Sequence, residues 1–234
     1  MLKPQVKAGG VTGMMANDGT GAVMRRLLAR LESGSAAAAY EAMGKRGDVA
    51  PFVRALVPDL LCVGPAFTVR AAAGFGDDIT EATDTAPPGS VIVIDVGAGQ
   101  SQGASQGQGA CTWGGTGSAI AQRRGIAGVV SNGHVRDIAE IRQLRFPVFA
   151  AGTVVSGWRR GQRGALQVPV SIGGQIVHPG DLVCADDDGV VIVAQDLFDA
   201  ADAGLAARLQ FESEAHAIVE AGGSYADIMQ RKPG

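Results

Sequence analysis

Three charged side chains, Arg136, Asp137 and Glu140, follow a polar turn near the middle of this chain. An apolar strand, predicted over residues 126–130, leads into that turn, which spans 131–133. The spacings of three and four residues predict that the charged groups lie on adjoining faces at the start of a helix. The carboxyl end of a strand is where open α/β folds commonly bind ligands. A guanidinium beside a carboxylate suits an anionic substrate held next to a divalent metal ion.

The same three residues also have a purely structural interpretation. An Arg-Asp pair near a helix start is often only a surface ion pair, and the helix dipole favours an aspartate at that position. Charge clusters are common at functional sites, but ion-pair networks with a purely structural role produce them as well. On the spacing alone, both interpretations therefore stay open.

A second candidate is the segment 112–118, Thr-Trp-Gly-Gly-Thr-Gly-Ser, which opens a helix predicted over 117–124. Small residues at a helix N-terminus leave backbone N–H groups open to an anion. Capping by Thr116 or Ser118 would use the same donors. An anion site and an ordinary cap are thus equally consistent with this segment.

Two further motifs give weaker signals. His134 lies three residues before Asp137 and could approach a metal ion, although a turn histidine is more often a surface hydrogen-bonding residue. The run Gly97-Ala98-Gly99 follows a strand but matches only part of a dinucleotide-binding fingerprint, because Gln102 stands where the third glycine is required. We therefore do not expect a dinucleotide cofactor.

The cysteines and lysines argue against two other classes of chemistry. Cys62, Cys111 and Cys184 form neither a disulfide framework nor a CxxC metal site, so we expect them to be small core residues. Schiff-base chemistry needs a desolvated lysine, and no lysine lies on a predicted core strand. The lysines are Lys3, Lys7, Lys45 and Lys232.

Composition favours a globular protein and argues against two classes of partner. Hydrophobic residues make up 46% of the 234, which is ample for a core, and the net charge is −3. That charge argues against nucleic acid or a membrane surface as the main partner. No segment reaches transmembrane length, and the first residues contain no apolar signal core. We therefore expect a cytoplasmic location.

The predicted elements place these candidates in an α/β fold. Helices are predicted over 20–32, 35–43, 77–85 and 197–221, the second with Ser35 as its N-cap. Strands are predicted over 60–72, 90–96 and 147–151, the first interrupted at Gly64-Pro65. Short hairpin strands are predicted over 167–193. Alternation of strand and helix in the middle of the chain implies parallel βαβ units. Two β-layers covered by helices account for the whole order.

The spacing of the candidate residues resembles that of the RraA-like family. Gly115 is followed after twenty residues by Arg136-Asp137, and Glu140 comes next. The likeness covers about 35–221. It includes the segments 64–70 (Gly-Pro-Ala-Phe-Thr-Val-Arg), 146–150, 168–170, 179–181 (Pro-Gly-Asp) and 185–191. The family contains class II, metal-dependent 4-hydroxy-4-methyl-2-oxoglutarate/4-carboxy-4-hydroxy-2-oxoadipate aldolases and the regulator of ribonuclease activity A.

The resemblance implies a fold and an assembly. The fold is a layered α-β-β-α sandwich of the swivelling-domain type, forming one domain over 1–234. Residues 1–34 would be an N-terminal helical extension, and 197–234 a C-terminal helical segment. Family members form homotrimers or homohexamers with the site near a subunit boundary. Glu212 or Glu214 of a neighbouring subunit is then the candidate for an additional carboxylate.

The resemblance also implies roles for the site residues. Arg136 would hold the carboxylate or keto oxygen of a 2-oxo acid, Asp137 would bind Mg²⁺ or Mn²⁺ directly, and Glu140 would bind the metal through a water. The backbone around the helix start would bind the substrate carboxylate. Those residues are Gly114, Gly115, Thr116, Gly117 and Ser118.

A lyase that releases pyruvate from a 4-hydroxy-2-oxo acid is the activity that the resemblance implies. The same enolate would also serve oxaloacetate decarboxylation. The alternative is a non-catalytic regulator that binds a ribonuclease or helicase. The combination of Arg136, Asp137 and Glu140 favours the enzyme, because a pure binding module does not need all three.

The chain departs from the family pattern at two places that bear on the substrate. Many of the family aldolases have an acidic residue where this chain has Gly115, and Trp158-Arg159-Arg160 replaces a Pro-Arg-Gly type of turn. The second half of a diacid substrate needs a cation, and Arg159 and Arg160 are the nearest unassigned pair in sequence. A solvated basic turn is the alternative explanation of that pair.

Overall fold

The computed structural model describes residues 19–72, 74–97 and 111–231. The helices are α1 (Gly19–Ser33), α2 (Ala36–Ala42), α3 (Asp77–Thr85), α4 (Gly115–Arg123), α5 (Ile138–Leu144), α6 (Phe198–Glu220) and α7 (Tyr225–Met229). The strands are β1 (Arg54–Ala55), β2 (Cys62–Arg70), β3 (Val91–Asp95), β4 (Cys111–Trp113), β5 (Gly128–Ser131), β6 (His134–Val135), β7 (Val148–Ala150), β8 (Gly152–Thr153), β9 (Ala165–Leu166), β10 (Val170–Ile172), β11 (Gln175–Val177), β12 (Leu182–Asp186) and β13 (Gly189–Val193).

Four parallel strands form the centre of an eight-stranded sheet. β2 pairs with β3, β3 with β5, and β5 with β7, and α3, α4 and α5 lie in the three crossovers. β12 and β13 extend the sheet beside β2 as an antiparallel hairpin, and β1 pairs antiparallel with β7 at the other edge. β9 also pairs with β2. The predicted parallel βαβ units are confirmed.

Both faces of the sheet are covered, which explains why β3 is buried along its whole length and apolar from Val91 to Ile94. Ile92 and Ile94 point to a core shared with α3, α4 and α5. Val91 and Val93 belong to a second core, on the side of the β10–β11 hairpin. The mixed α/β class is confirmed, and the strands outside the main sheet form two small sheets, β10–β11 and β4–β6–β8.

A third core lies where α1 and α2 pack against α6 and the β12–β13 hairpin. Leu27 and Leu31 of α1 are fully buried there with Leu205 of α6. The helices predicted over 20–32 and 197–221 are therefore present, and the second of them is the expected C-terminal helix. Ser35 caps α2 as predicted, by accepting the Ala38 N–H.

The interruption predicted at Gly64-Pro65 is wrong, because β2 runs straight through it. β12 pairs with β2 up to Pro65, and β3 begins to pair at Ala66. Pro65 thus sits where one neighbour ends and the other begins, so its missing N–H removes no ladder hydrogen bond. Ala66 restores the pattern by donating its N–H to the Asp181 carbonyl, at 2.7 Å.

The small parallel sheet β4–β6–β8 lies beyond the carboxyl ends of the central strands. β6 follows β5 after the Asn132-Gly133 turn, and β8 follows β7 after Ala151. This position brings the ends of β4 and β6, with the residues that follow them, to the edge of the sheet where α/β folds bind ligands. None of the helices in the described ranges is long and apolar enough to cross a membrane.

Candidate active site

A buried polar cluster fixes the turn that leads to the candidate residues. Asn132 donates its side-chain N–H to the Asp95 carboxylate at 2.8 Å and accepts the Val96 N–H at 2.9 Å. Asp95 also accepts the Ser171 N–H, at 3.0 Å. These bonds tie the ends of β3 and β5 to the β10–β11 hairpin, so the chain leaves β5 in one direction only.

The charged residues follow β6, and two of them lie before the helix rather than on it. The Arg136 N–H donates to the Trp113 carbonyl at 3.0 Å, which holds Arg136 extended beside β4. Asp137 then turns the chain in the left-handed region, with φ 58° and ψ 34°, and α5 begins at Ile138. The prediction that the three charged groups lie on adjoining faces at the start of a helix is therefore wrong for Arg136, because its pairing with β4 keeps it out of α5.

Arg136 and Asp137 nevertheless meet at the start of α4. The Arg136 Nε lies 3.5 Å from Asp137 Oδ2, and both side chains are nearly half exposed. The same Oδ2 accepts the Gly115 N–H at 3.3 Å. Asp137 Oδ1 makes no hydrogen bond to any residue that the structure describes, so it can still bind a ligand.

The carboxylates of Asp137 and Glu140 lie directly against the backbone of Gly114 and Gly115. A Cβ on Gly114 would stand 2.9 Å from Asp137 Oδ2, and a Cβ on Gly115 would overlap the Glu140 carboxylate. α4 accordingly begins at Gly115, two residues earlier than predicted. The helix start and both carboxylates thus form one local cluster with Arg136.

The free backbone donors of α4 are those of Thr116 and Gly117. Neither amide has a hydrogen-bond acceptor among the described residues, and no side chain caps the helix, so the capping interpretation does not hold. Ser118 offers no free group, because its N–H and hydroxyl both donate to the Gly114 carbonyl and it is fully buried. Its oxygen also accepts the Trp113 indole N–H at 2.7 Å. Ser118 therefore stabilises the start of α4 through its hydrogen bonds with Gly114 and Trp113.

A cavity of about 310 Å³ opens in front of this cluster. Its lining includes Arg136, Asp137, Thr116 and Gly117. α3 also contributes to the lining, and the loop after β8 contributes Trp158 and Arg160. The other lining residues are Ile79, Thr80, Thr83, Asp84, Cys111, Thr112, Trp113, Gly114 and Ile120.

The two neighbouring arginines of the loop behave differently. Arg160 lines the cavity, with its guanidinium carbon 5.9 Å from the centre of the Trp158 ring. Arg159 is absent from the lining and stacks over Phe75, at 5.1 Å, on the outer side. The sequence left open whether this pair contacts substrate or forms a solvated basic turn, and the parallel bridge between Arg159 and Phe75 separates the two residues.

The other candidates from the sequence take no part in the cavity chemistry within the described residues. His134 is a half-buried residue of β6 that does not line the cavity. Glu212 pairs with Arg208 at 2.7 Å, and Glu214 accepts a hydrogen bond from Gln210, both within α6. Their role in a neighbouring subunit stays a prediction. Of the partial fingerprint, only Gly97 lies within the described residues.

All three cysteines are buried and free, as expected of core residues. Burial raises the pKa of the Cys62 thiol to about 12 and also raises that of Cys184. Cys111 touches the cavity, but burial raises its pKa as well, against the opposing influence of the nearby Arg136 charge. A protonated thiol is a weak nucleophile, so cysteine catalysis is not supported here.

The donor set fits a hard divalent ion that keeps most of its water. Asp137 offers a free carboxylate oxygen, and the Glu140 carboxylate lies against Gly115, whose N–H Asp137 accepts. Among the described residues, no three His, Cys, Asp or Glu side chains converge as a metal cage. Mg²⁺ commonly binds through one or two carboxylates, with water and substrate filling the other positions. A single direct ligand, Asp137, agrees with that pattern.

Sequence reasoning missed the contribution of α3 to the cavity. Thr80, Thr83 and Asp84 lie on its cavity side, with Ile79 beside them. Their spacing of three and four residues is the signal that could have found this face. Nothing in the sequence indicates that α3 lines the same cavity as Arg136, since the order of strands in the sheet brings the two together.

Comparisons with known proteins agree with this architecture. A family model described as RraA-like, Aldolase/RraA, matches residues 36–192. A Halalkalibacterium halodurans protein named "Putative 4-hydroxy-4-methyl-2-oxoglutarate aldolase" is 38% identical over 134 residues, which cover 56% of this chain and 59% of that protein. The chain therefore spans less than two thirds of that curated relative.

Two solved structures resemble the whole described fold. An uncharacterized protein from Pseudomonas syringae pv. tomato has a TM-score of 0.75 at 28% identity, covering 88% of this chain and 96% of that one. Streptomyces coelicolor RraAS2, described as an unusual member of the RNase ES inhibitor RraA protein family, has a TM-score of 0.70 at 26% identity, covering 86% and 99%. The likeness thus includes both aldolase-named and inhibitor-named proteins.

Proposed function

The chain belongs to the RraA-like family, and on that premise we propose that it is a divalent-metal-dependent carbon–carbon lyase that releases pyruvate from a 4-hydroxy-2-oxo acid. Decarboxylation of oxaloacetate is proposed as a side activity of the same site. The observation that carries the proposal is the convergence of Arg136, Asp137 and the open amides of α4 on one cavity. Homologues named as aldolases support the reaction class.

Different cavity residues bind different groups of a 2-oxo acid. The Thr116 and Gly117 amides donate to the C1 carboxylate, at a helix end that favours negative charge. Arg136 donates to the same carboxylate or to the keto oxygen in a fixed planar geometry. Mg²⁺ or Mn²⁺ held by Asp137, with Glu140 on one of its waters, would supply Lewis-acid polarisation of the 2-oxo group.

The reaction then needs no covalent attachment to the protein. The C3–C4 bond breaks as the C4 hydroxyl gives its proton to solvent, and C4 becomes the carbonyl of the second product. The electron pair of the bond passes to C3 and gives the enolate of pyruvate, which takes up a proton from solvent at C3. The positive charge of Arg136 stabilises the enolate when it donates to the C2 oxygen, while the α4 amides hold the C1 carboxylate in place.

A non-catalytic regulator is the alternative, and the likeness to RraAS2 is the observation in its favour. Such a protein would bind a ribonuclease or helicase through its surface. It would require neither a free carboxylate oxygen on Asp137 nor an arginine held beside it. Activity with small 2-oxo acids therefore separates the two proposals.

The test is pyruvate release by the full chain from a panel of 4-hydroxy-2-oxo diacids and oxaloacetate. Metal-free protein is assayed with and without Mg²⁺ or Mn²⁺, and we expect turnover only with metal. Asp137→Asn is the informative variant, because asparagine tolerates the left-handed backbone and still accepts the Gly115 N–H. Loss of the charge should lower turnover by roughly 100-fold or more.

Asp188→Asn is the matched control, since it makes the same change on an exposed turn outside the cavity. Both variants should melt near the parent temperature. Asp137→Ala is a poorer choice because alanine in the left-handed region costs on the order of 1 kcal/mol. Undiminished Mg²⁺-dependent turnover by Asp137→Asn, or no pyruvate from any substrate on the panel, would contradict the proposal.

A further inference from the structure

The geometry points to Arg160 as the residue that selects the second half of the substrate, by binding an anionic group there, while Arg159 has no such role. This inference rests on the proposed function, because it assigns a second role in the same cavity. Arg136 and Arg160 both line that cavity and are the two cations among its described lining residues. A ligand whose first carboxylate is held by Arg136 can therefore present a second anionic group to Arg160.

The arginines of the loop after β8 differ in whether they already have partners. Arg163 forms an ion pair with Glu81 of α3. Arg159 stacks on Phe75 and joins the backbone of 74–76. Arg160 has no carboxylate within 4.0 Å among the described residues, and its guanidinium lies over the Trp158 ring. Of the three cations, Arg160 is the one that lines the cavity, and it does so without an ion-pair partner among the described residues.

The loop is held in place before any ligand arrives. Its residue Arg159 donates its N–H to Gly74 at 2.9 Å and accepts the Gly76 N–H at 3.1 Å. Gly161 donates its N–H to Asp77 at 2.8 Å. Trp158 packs so closely on Gly76 that a Cβ there would overlap its ring. Binding at a preformed cation loses little conformational entropy.

The surroundings of Arg160 set the kind of group it would take. Ile79, Ile120 and Trp158 give the cavity an apolar wall, which weakens competition from water. Asp84 also lines the cavity, and a neighbouring surface pocket places Asp77 and Glu81 with Asp84 around Arg160. These carboxylates oppose a multiply charged anion at Arg160. The group assigned to Arg160 is therefore a single distal carboxylate on a 2-oxo acid.

The first experiment compares two neighbouring charge deletions, Arg160→Gln and Arg159→Gln. KM and kcat for pyruvate release are measured with a 4-hydroxy-2-oxo diacid and with a chain-matched monoacid that lacks the distal carboxylate. We expect Arg160→Gln to raise KM for the diacid about tenfold, or about 1.4 kcal/mol, and to leave the monoacid unchanged. Arg159→Gln should change neither substrate, and Asp84→Asn should lower KM for the diacid.

The second experiment measures binding without turnover, so that it stands even when the proposed reaction fails. Calorimetric titration with 2-oxoglutarate and with 2-oxopentanoate compares ligands that differ only in the distal carboxylate. The parent protein should prefer 2-oxoglutarate, and Arg160→Gln should lose that preference while still binding 2-oxopentanoate. Absence of pyruvate release with this preference intact would reject the reaction but keep the assignment.

Three results would overturn the assignment of Arg160. They are equal losses on the diacid and monoacid, an effect of Arg159→Gln as large as that of Arg160→Gln, and a parent protein with no preference for 2-oxoglutarate. The melting temperature of each variant is compared with that of the parent, so that loss of the fold can be excluded as the cause of a change in KM. Arg160→Lys is the conservative rescue, and it should recover part of the diacid preference by restoring the charge.

Discussion

At the scale of residues, the site depends on one aspartate in an unusual backbone conformation. Asp137 adopts φ 58°, which few non-glycine residues do, and such conformations are concentrated at functional sites. The conformation aims the carboxylate back at the Gly115 amide and towards Arg136. A regular helix starting at Arg136 would have sent both side chains along its own surface instead.

Arg136→Lys tests whether the planar fork of the guanidinium matters in addition to its charge. Lysine presents one compact ammonium, so we expect kcat/KM for pyruvate release to fall at least about tenfold. Arg123→Lys, on an exposed position of α4 outside the cavity, should have no effect. An unchanged kcat/KM for Arg136→Lys would show that the residue does not clamp the substrate carboxylate.

Borohydride treatment during turnover probes the chemistry at the same scale. Lys45 is the one lysine among the described residues, and it does not line the cavity. We therefore expect mass spectrometry to find no reduced substrate adduct, because no lysine among the described residues lines the cavity to form an imine. A trapped adduct would replace the metal–enolate route with covalent catalysis.

At the scale of elements, α1 is fastened to α6 by a charge cluster as well as by apolar packing. Arg26 Nε lies 3.2 Å and Arg30 Nε 2.6 Å from the Asp202 carboxylate. Burial alone would raise the pKa of Asp202, but the hydrogen bonds from Arg30 and Arg26 outweigh it and hold that pKa below its usual range. The carboxylate is therefore favoured in its charged form when α1 is docked.

This depressed pKa predicts a pH-dependent contribution to stability. A group whose pKa is lowered by folding stabilises the fold above its unfolded value, and that contribution is lost as the pH falls through the folded pKa. Asp202→Asn should lower the free energy of unfolding by about 1 kcal/mol at pH 7, after allowing for solvent screening of the half-exposed arginines. The difference from the parent should shrink below about pH 4.

Urea unfolding at pH 7 and at acid pH measures both effects, with Asp188→Asn as the control for an exposed aspartate. We expect the control to match the parent at both pH values, within about 0.5 kcal/mol. A deficit of Asp202→Asn that is equally large at both pH values would mean that packing, and not the charge cluster, fastens α1.

At the scale of the whole molecule, the site is open on one side. The Arg136 and Asp137 side chains are 45% and 44% exposed in the single chain. Ile120 on the cavity rim is also exposed, and Val155 beside the loop is 94% exposed. A neighbouring subunit over this face would remove water and strengthen the interactions of the charged groups with substrate.

Sedimentation of the purified protein should accordingly give a trimer or hexamer, as proposed from the family likeness. Specific activity should fall when dilution separates the subunits, because each site would then lose its cover and any carboxylate lent by a neighbour. Glu212→Gln and Glu214→Gln, compared at a concentration where the assembly is intact, would identify the donor. A fully active monomer would contradict this picture.

Local sequence determined the main helices and pointed to the candidate site residues. α3 begins and ends at the predicted residues, and α1 and α6 deviate by only one, because helix periodicity, caps and breakers act within a few residues. The family spacing of Gly115, Arg136, Asp137 and Glu140 likewise needed no tertiary information. These four residues do cluster at the start of α4.

Only the tertiary structure decided how those groups face one another. The backbone of Arg136 follows from its pairing with Trp113, more than twenty residues away, and that pairing keeps Arg136 extended against its local helical pattern. The separation of Arg159 from Arg160 depends on contacts with Phe75, which lies more than eighty residues earlier in the chain. Such long-range pairings are settled by strand order and packing, which no short stretch of sequence encodes.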